Sequence, residues 1–232
     1  MERISKPDLL RPCVGRYAAV LFDLDNTLFD YDSYWGHRLR HALTEVCAAY
    51  PTLDVDALIA HAISKHIYAP RLPALLQQMG IDDLELCRRA QERYRHNDYS
   101  HLRLYDGAEA MLQRLRPTHR LGLITNGPVF TQRPKIEQFR LARMMDVLVI
   151  SEEVGIAKPH PRIFQLTLRH LGVAPARALY VGDSLRYDLM GAMAAGVDFV
   201  WMNPHCLPLP ADMPQPRAAI QHLEEILPII ER

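Results

Sequence analysis

Two carboxylates one residue apart, Asp23 and Asp25, follow an apolar run from Ala18 to Phe22. A run of that kind suits a central parallel strand covered on both faces, so both acids stand where the strand ends. A buried carboxylate without a partner is costly or shifts its pKa, and a cation is its natural partner. Open α/β sheets bind ligands just outside the carboxyl ends of their strands. An isolated D-x-D would read as no more than a capped turn at Asp25 and Asn26, given the turn preferences of those residue types. Here three further strand ends carry complements: Thr125-Asn126-Gly127, then Lys158 in a loop, then Gly182-Asp183-Ser184 with Asp188 five residues beyond Asp183.

The elements that must position these groups are legible in outline. The first strand covers about Tyr17 to Phe22. From Tyr31 to about Arg103 helical spacing dominates, in apolar stripes through Trp35, Leu39, Leu43 and Val46, through Leu58 to Ile63, through Leu72 to Met79, and through Leu84 to Tyr94. Asp54 and Asp82 or Asp83 are cap candidates for two of these helices. The basic and aromatic residues of this block (His37, Arg38, Lys65, His66, Tyr68, Arg71, Arg95, His96) read chiefly as a solvated helix face. A helix over Ala108–Leu115 leads to a second strand, Leu121–Ile124, and to the Asn-Gly turn. A helix from Thr131 to Met144 follows, then a third strand, Asp146–Ser151, and a Gly- and Pro-containing loop from Glu152 to Pro161. Pro161 opens a helix that Gly172 closes. Ala178–Val181 is the fourth strand, Tyr187–Ala195 a helix, Asp198–Met202 the fifth strand, and Ala218–Leu227 a final helix. Strands alternating with helices predict an α/β fold: a Rossmann-like parallel sheet with helices on both faces. Residues 1–30 and 104–232 form this core, and 31–103 an inserted all-helical subdomain.

Composition bounds the function classes. The 232 residues are 49% hydrophobic, enough for one core and a smaller subdomain, and formal net charge is zero. No basic patch announces a nucleic acid polymer. No apolar run approaches the roughly 20 residues of a membrane span. The segment from Met1 to Arg16, broken by Pro7 and Pro12, reads as a short extension rather than a signal peptide. Cys13, Cys47, Cys87 and Cys206 are scattered without metal or redox spacing, which fits reduced thiols in a cytoplasmic protein.

The order D-L-D-N-T from Asp23, T-N-G from Thr125, K-P at Lys158 and G-D-S-x-x-x-D from Gly182, each after its own strand, resembles the four motifs of the haloacid dehalogenase superfamily in its phosphatase form. The likeness covers almost the whole chain. The helical insertion matches the alpha-helical cap subclass. It implies Asp23 as nucleophile and Asp25 as general acid/base, an acid that the dehalogenase members lack. It implies Mg²⁺ held by Asp23, the backbone carbonyl of Asp25 and Asp183. Lys158, Thr125 and Asn126 are then the groups for the transferred phosphoryl group. Asp188 either supports the metal or caps its helix. The segments Ile124–Gly127, Gln132 with Lys135-Ile136, Ile150–Pro159 and Val200–Asn203 resemble the branch holding pyrimidine 5′-nucleotidases and N-acylneuraminate-9-phosphatases. The expectation is a monomeric or homodimeric phosphatase of small phosphorylated metabolites, nucleoside monophosphates first and sugar phosphates second. A phosphomutase and a non-catalytic binding protein on the same fold are the alternatives.

Overall fold

A computed structural model describes residues 15–65, 67, 69–95, 99 and 101–231. The chain divides into two compact units, one running to Asp30 and resuming at Arg103, the other Tyr31–Leu102.

Strand β1, Ala19–Phe22, is wholly buried and lies in the middle of the sheet. The helical unit follows, with α1 Tyr31–Ala42, α2 Thr44–Ala49, α3 Val55–Ser64, α4 Leu72–Gln78 and α5 Leu84–Arg95. Its own core is built from the apolar stripes, with Trp35, Leu39, Leu58, Leu76 and Tyr94 buried together. Two cap candidates act as such: Asp54 accepts from the Ala57 N–H and Asp83 from the Leu86 N–H. Arg38 is held within this unit. Its guanidinium donates to the Tyr94 carbonyl and lies over the rings of Tyr34 and Tyr94. His37, Lys65, Arg71 and Arg95 are exposed. His66, Tyr68 and His96 lie outside the described residues.

The other unit continues with α6 Ala108–Leu115, β2 Arg120–Thr125, α7 Val129–Gln138, β3 Val147–Ile150, α8 Ser151–Val154, α9 Pro161–Leu171, β4 Ala178–Gly182, α10 Met190–Ala194, β5 Asp198–Met202, β6 Ala218–Ile220 and α11 Leu227–Ile230. The six strands run in the order β3-β2-β1-β4-β5-β6 and every pairing is parallel. Chain order reverses direction across the sheet at β1 and β4, which is where such sheets open a ligand crevice. The Asp23 N–H bonds to the Val181 carbonyl at 2.9 Å, so pairing with β4 runs one residue beyond the strand and sets Asp23 beside the end of β4. Helix α9 buries Ile163, Phe164, Thr167, Leu168 and Leu171, one stripe at helical spacing. His160 caps its start, Pro161 is its first residue, and Gly172 ends it in the left-handed region.

Three expectations about elements need correction. The segment from Ala218 is a strand, not the start of a helix, and the helical turns come after it. The open edge of β5 decides this: Arg217 N–H bonds to the Phe199 carbonyl and Asn203 N–H to the Ile220 carbonyl. The loop after β3 begins with one helical turn, Ser151–Val154, which Gly155 stops at φ 66°. The helix expected from Thr131 to Met144 ends at Gln138, because Arg140 takes φ 51° and a separate 3₁₀ turn covers Leu141–Arg143. Among the described residues no helix is long and apolar enough to cross a membrane.

Candidate active site

Each group singled out from the sequence sits at the carboxyl edge of the sheet. Asp23 and Asp25 follow β1, Thr125 is the last residue of β2, Lys158 comes after α8, and Asp183 follows β4. Asp23, Lys158 and Asp188 are buried together. The Lys158 ammonium is 2.5 Å from Asp23 Oδ1 and 2.8 Å from Asp188 Oδ1. It also donates to the Tyr180 hydroxyl at 2.9 Å.

The local chain explains these positions. Asn126 clamps the Lys158 residue from both sides: its Nδ2 donates to the Lys158 carbonyl and its Oδ1 accepts from the Lys158 N–H, both at 2.9 Å. The side chain expected to meet substrate thus holds the lysine loop. The Gly127 N–H donates to Ser151 Oγ at 3.0 Å. The backbone of Asp183 is pinned by the Trp201 indole N–H, which donates to its carbonyl at 2.8 Å. Asp188 Oδ2 accepts from the Ser184 N–H at the start of the turn Leu185–Leu189, and its Oδ1 faces Lys158 and the Tyr180 hydroxyl. Ser184 caps this turn, its Oγ accepting from the Tyr187 N–H.

One carboxylate oxygen each from Asp23, Asp183 and Asp188 lie within 4.8 Å of one another. Three acids against one ammonium leave two negative charges without compensation when all are ionised. Burial and this excess of acids together shift the proton affinities of Asp23 and Asp183. Burial, offset in part by Lys158 and reinforced by Asp188, pushes the Asp23 carboxyl up to about 7. Burial, then the Asp188 and Asp23 carboxylates, raise Asp183 well above the usual carboxylate range. Burial lowers the Lys158 pKa, but the Asp188 and Asp23 carboxylates overcome this and hold it above its ordinary value. Burial, then Asp188 and Asp23, keep the Tyr180 phenol neutral. A divalent cation among these acids would remove the uncompensated charge, and an all-oxygen donor set suits Mg²⁺, which keeps waters in its remaining positions. The residues present fit such an ion.

A model of the haloacid dehalogenase-like hydrolase family matches residues 20–202, most of the chain and all of the site. The chain belongs to that family. This hydrolase is 30% identical over 197 residues to the pyrimidine 5′-nucleotidase YjjG of Escherichia coli, with 80% of the chain and 86% of that protein covered. It is 31% identical over 208 residues to the N-acylneuraminate-9-phosphatase of Mus musculus, with 82% and 84% covered. Its fold matches the magnesium-bound structure of the HAD-hydrolase YfnB of Bacillus subtilis with a TM-score of 0.71 at 26% identity, covering 94% of this chain and all of that one.

Two parts of the hydrolase's site have no counterpart in the roles read from sequence. Asp25 does not share the Lys158 ammonium. Its two oxygens lie 2.7 and 2.9 Å from Lys135 Nζ, and Gln132 Nε2 donates to its Oδ2 at 3.2 Å. Tyr180, a buried strand residue by pattern, bridges Lys158 and Asp188. Lys135 left a signal: it falls on the same face of α7 as Ile136 and Phe139, and a lysine on an apolar face needs an acid. Tyr180 left none, since tyrosine is common in buried strands.

Proposed function

We propose that this hydrolase is a Mg²⁺-dependent phosphatase of small phosphomonoesters that works through an aspartyl phosphate, with nucleoside monophosphates as the leading substrate class. It is a phosphoric monoester hydrolase. The observation that carries the finer reading is the set of three acids, two of them buried, around one ammonium, beside a fourth acid with a separate partner.

In this reading Asp23 attacks phosphorus in line, and the bond from phosphorus to the leaving oxygen breaks. Asp25 gives its proton to that oxygen, then takes one from the water that attacks phosphorus of the acyl phosphate, which releases inorganic phosphate and frees Asp23. Lys158 offsets charge on the phosphoryl oxygens, joined by the Thr125 hydroxyl once it turns from Gln132 to the phosphoryl group. Asn126 acts by holding the Lys158 backbone. Asp23, Asp183 and the Asp25 carbonyl, with Asp188 beside them, would hold the metal. Mg²⁺ there supplies the charge that lets an ionised carboxylate approach a phosphate dianion. The helical unit is the cap that selects substrate, with hinges at Asp30–Asp32 and Arg103–Asp106. A cytoplasmic setting fits the free thiols of Cys47, Cys87 and Cys206.

The substrate class rests on likeness to the nucleotidase. Nearly equal identity to the N-acylneuraminate-9-phosphatase keeps sugar phosphates as the second reading. Phosphate release with Mg²⁺ over a panel of nucleoside monophosphates, sugar phosphates and short organic phosphates tests both, with Asp23→Asn as blank. The expected result is a preference for nucleoside monophosphates and no turnover by the variant. Preference for sugar phosphates would select the second reading. Full activity in Asp23→Asn would overturn the mechanism.

A further inference from the structure

We propose that Lys135 is a positioning residue for Asp25, and that Gln132 ties it to the phosphate-binding end of β2. The inference rests on the reading of Asp25 as the group that exchanges a proton with the leaving oxygen.

Lys135 lies in the last turn of α7 and is 1% exposed. An ammonium out of water requires an anion close by. It has one in Asp25, which it meets through both carboxylate oxygens. The two contacts from one ammonium fix the place of the carboxylate, and the Gln132 amide on Oδ2 alone sets its rotation. The site thus sorts its cations: Asp23 is held by Lys158 and Asp25 by Lys135. The Asp25 side chain keeps 23% of its surface open, so the clamped group is still reachable from solvent.

Gln132 stands one helical turn before Lys135 on the same face of α7. Its Oε1 accepts from the Thr125 hydroxyl at 3.3 Å and lies 3.5 Å from Lys135 Nζ. Its Nε2 donates to Asp25 Oδ2 and to the Asn126 carbonyl, each at 3.2 Å. Gly127 makes room for this approach. A Cβ there would lie 2.6 Å from Gln132 Nε2, at a backbone φ of 140° that side chains rarely adopt. Helix α7 follows directly from the Thr125–Pro128 turn, so one continuous segment carries both the phosphate contact and the clamp on the acid.

A residue that aims Asp25 affects the step in which the leaving oxygen takes its proton and, for every substrate alike, the later hydrolysis of the acyl phosphate. Because kcat/KM reports only the steps through formation of the acyl phosphate, it isolates the first. The Asp23 and Asp183 carboxylates are left alone, since Lys135 meets the Asp25 side chain. The test compares an alkyl phosphate, whose alkoxide must be protonated to leave, with p-nitrophenyl phosphate, whose phenolate leaves unaided. For Lys135→Met the expected kcat/KM falls by about 10- to 100-fold on the alkyl phosphate. It falls by less than about 3-fold on p-nitrophenyl phosphate. Lys135→Arg, which keeps the charge, recovers part of the loss. Should Lys135→Met fail to fold, as read by thermal unfolding, Gln132→Leu carries the same comparison. Equal losses of kcat/KM on both substrates would overturn the proposal and make Lys135 a substrate contact. Asp25→Ala keeps the two levels apart. Full alkyl-phosphate turnover in Asp25→Ala sinks the reading of Asp25 itself. An inactive Asp25→Ala beside a fully active Lys135→Met sinks only the clamp.

Discussion

A single hydroxyl, that of Tyr180, joins the two charged partners on which the site depends. It accepts from Lys158 Nζ and lies 3.0 Å from Asp188 Oδ1 and 3.3 Å from the Ile124 carbonyl. With one proton to give, it donates to the carboxylate or to the carbonyl, and its neutral form supplies the acceptor that Lys158 uses. Removing it strands contacts to two charged groups, each worth about 1.5–3 kcal/mol when buried. Tyr180→Phe should therefore lower kcat/KM by about tenfold or more and lower the melting temperature as well. Steady-state kinetics and thermal unfolding read both, and an unchanged kcat/KM would show that Asp23 and Asp188 suffice to hold Lys158. At this scale the acids and Lys158 were legible because charged residues at strand ends have few structural excuses. Tyr180 and the partner of Asp25 were not, because a hydrogen bond between residues 22 or 110 positions apart leaves no mark on local pattern.

At the scale of elements, the junction of β4 with the turn after it carries the tightest fit in the site. A Cβ on Gly182 would meet the Asp188 Cγ at 2.6 Å, so the absence of a side chain lets the turn fold back over the strand end. That turn is a wide, π-type one, Leu185–Leu189, a form often found at functional sites. It brings Asp188 under Lys158. Gly182→Ala must displace either the strand or the acid. Overpacking of this kind costs about 1–3 kcal/mol, or about 2–12 °C in melting temperature for a chain of this size. Turnover should fall along with stability, because the displaced group is Asp188. A variant that melts like the wild type would mean that the turn yields without strain. The sheet order was implied by the alternation of strands and helices, and β5 matched its expected bounds. Helix α7 and strand β6 were misjudged at their limits for different reasons. A left-handed Arg140 has no sequence signature, whereas the open edge of β5 recruited a short Ala-Ala-Ile segment whose local preference is weak.

For the whole molecule, the excess of acids at the site links stability to pH and to the metal. Asp23 is raised to about 7 in the folded chain, against about 3.9 when unfolded. The folded state thus binds more protons between those values. The stabilisation is fully present below about pH 4 and is lost as pH rises through about 7. Metal-free protein should melt at lower temperature near pH 8 than near pH 5.5, apart from other titrations. Mg²⁺ competes with that proton, so the gain in melting temperature with saturating Mg²⁺ should be larger near pH 8. A ligand at about 100 times its Kd contributes about 2.7 kcal/mol, or about 5–11 °C here. Thermal unfolding with and without Mg²⁺ across that range measures it, and a Mg²⁺ effect that shrinks as pH rises would contradict the assignment of Asp23 to the metal. The sequence by itself determined the family, the α/β core and the residues that end its strands, because parallel strands and their acids are written in contiguous runs. Only the tertiary structure decided which cation serves which acid. Asp23 pairs with Lys158 and Asp25 with Lys135 because the loop after β3 and α7 bring those lysines to the end of β1, and such pairings depend on distances in space that no spacing along the chain encodes.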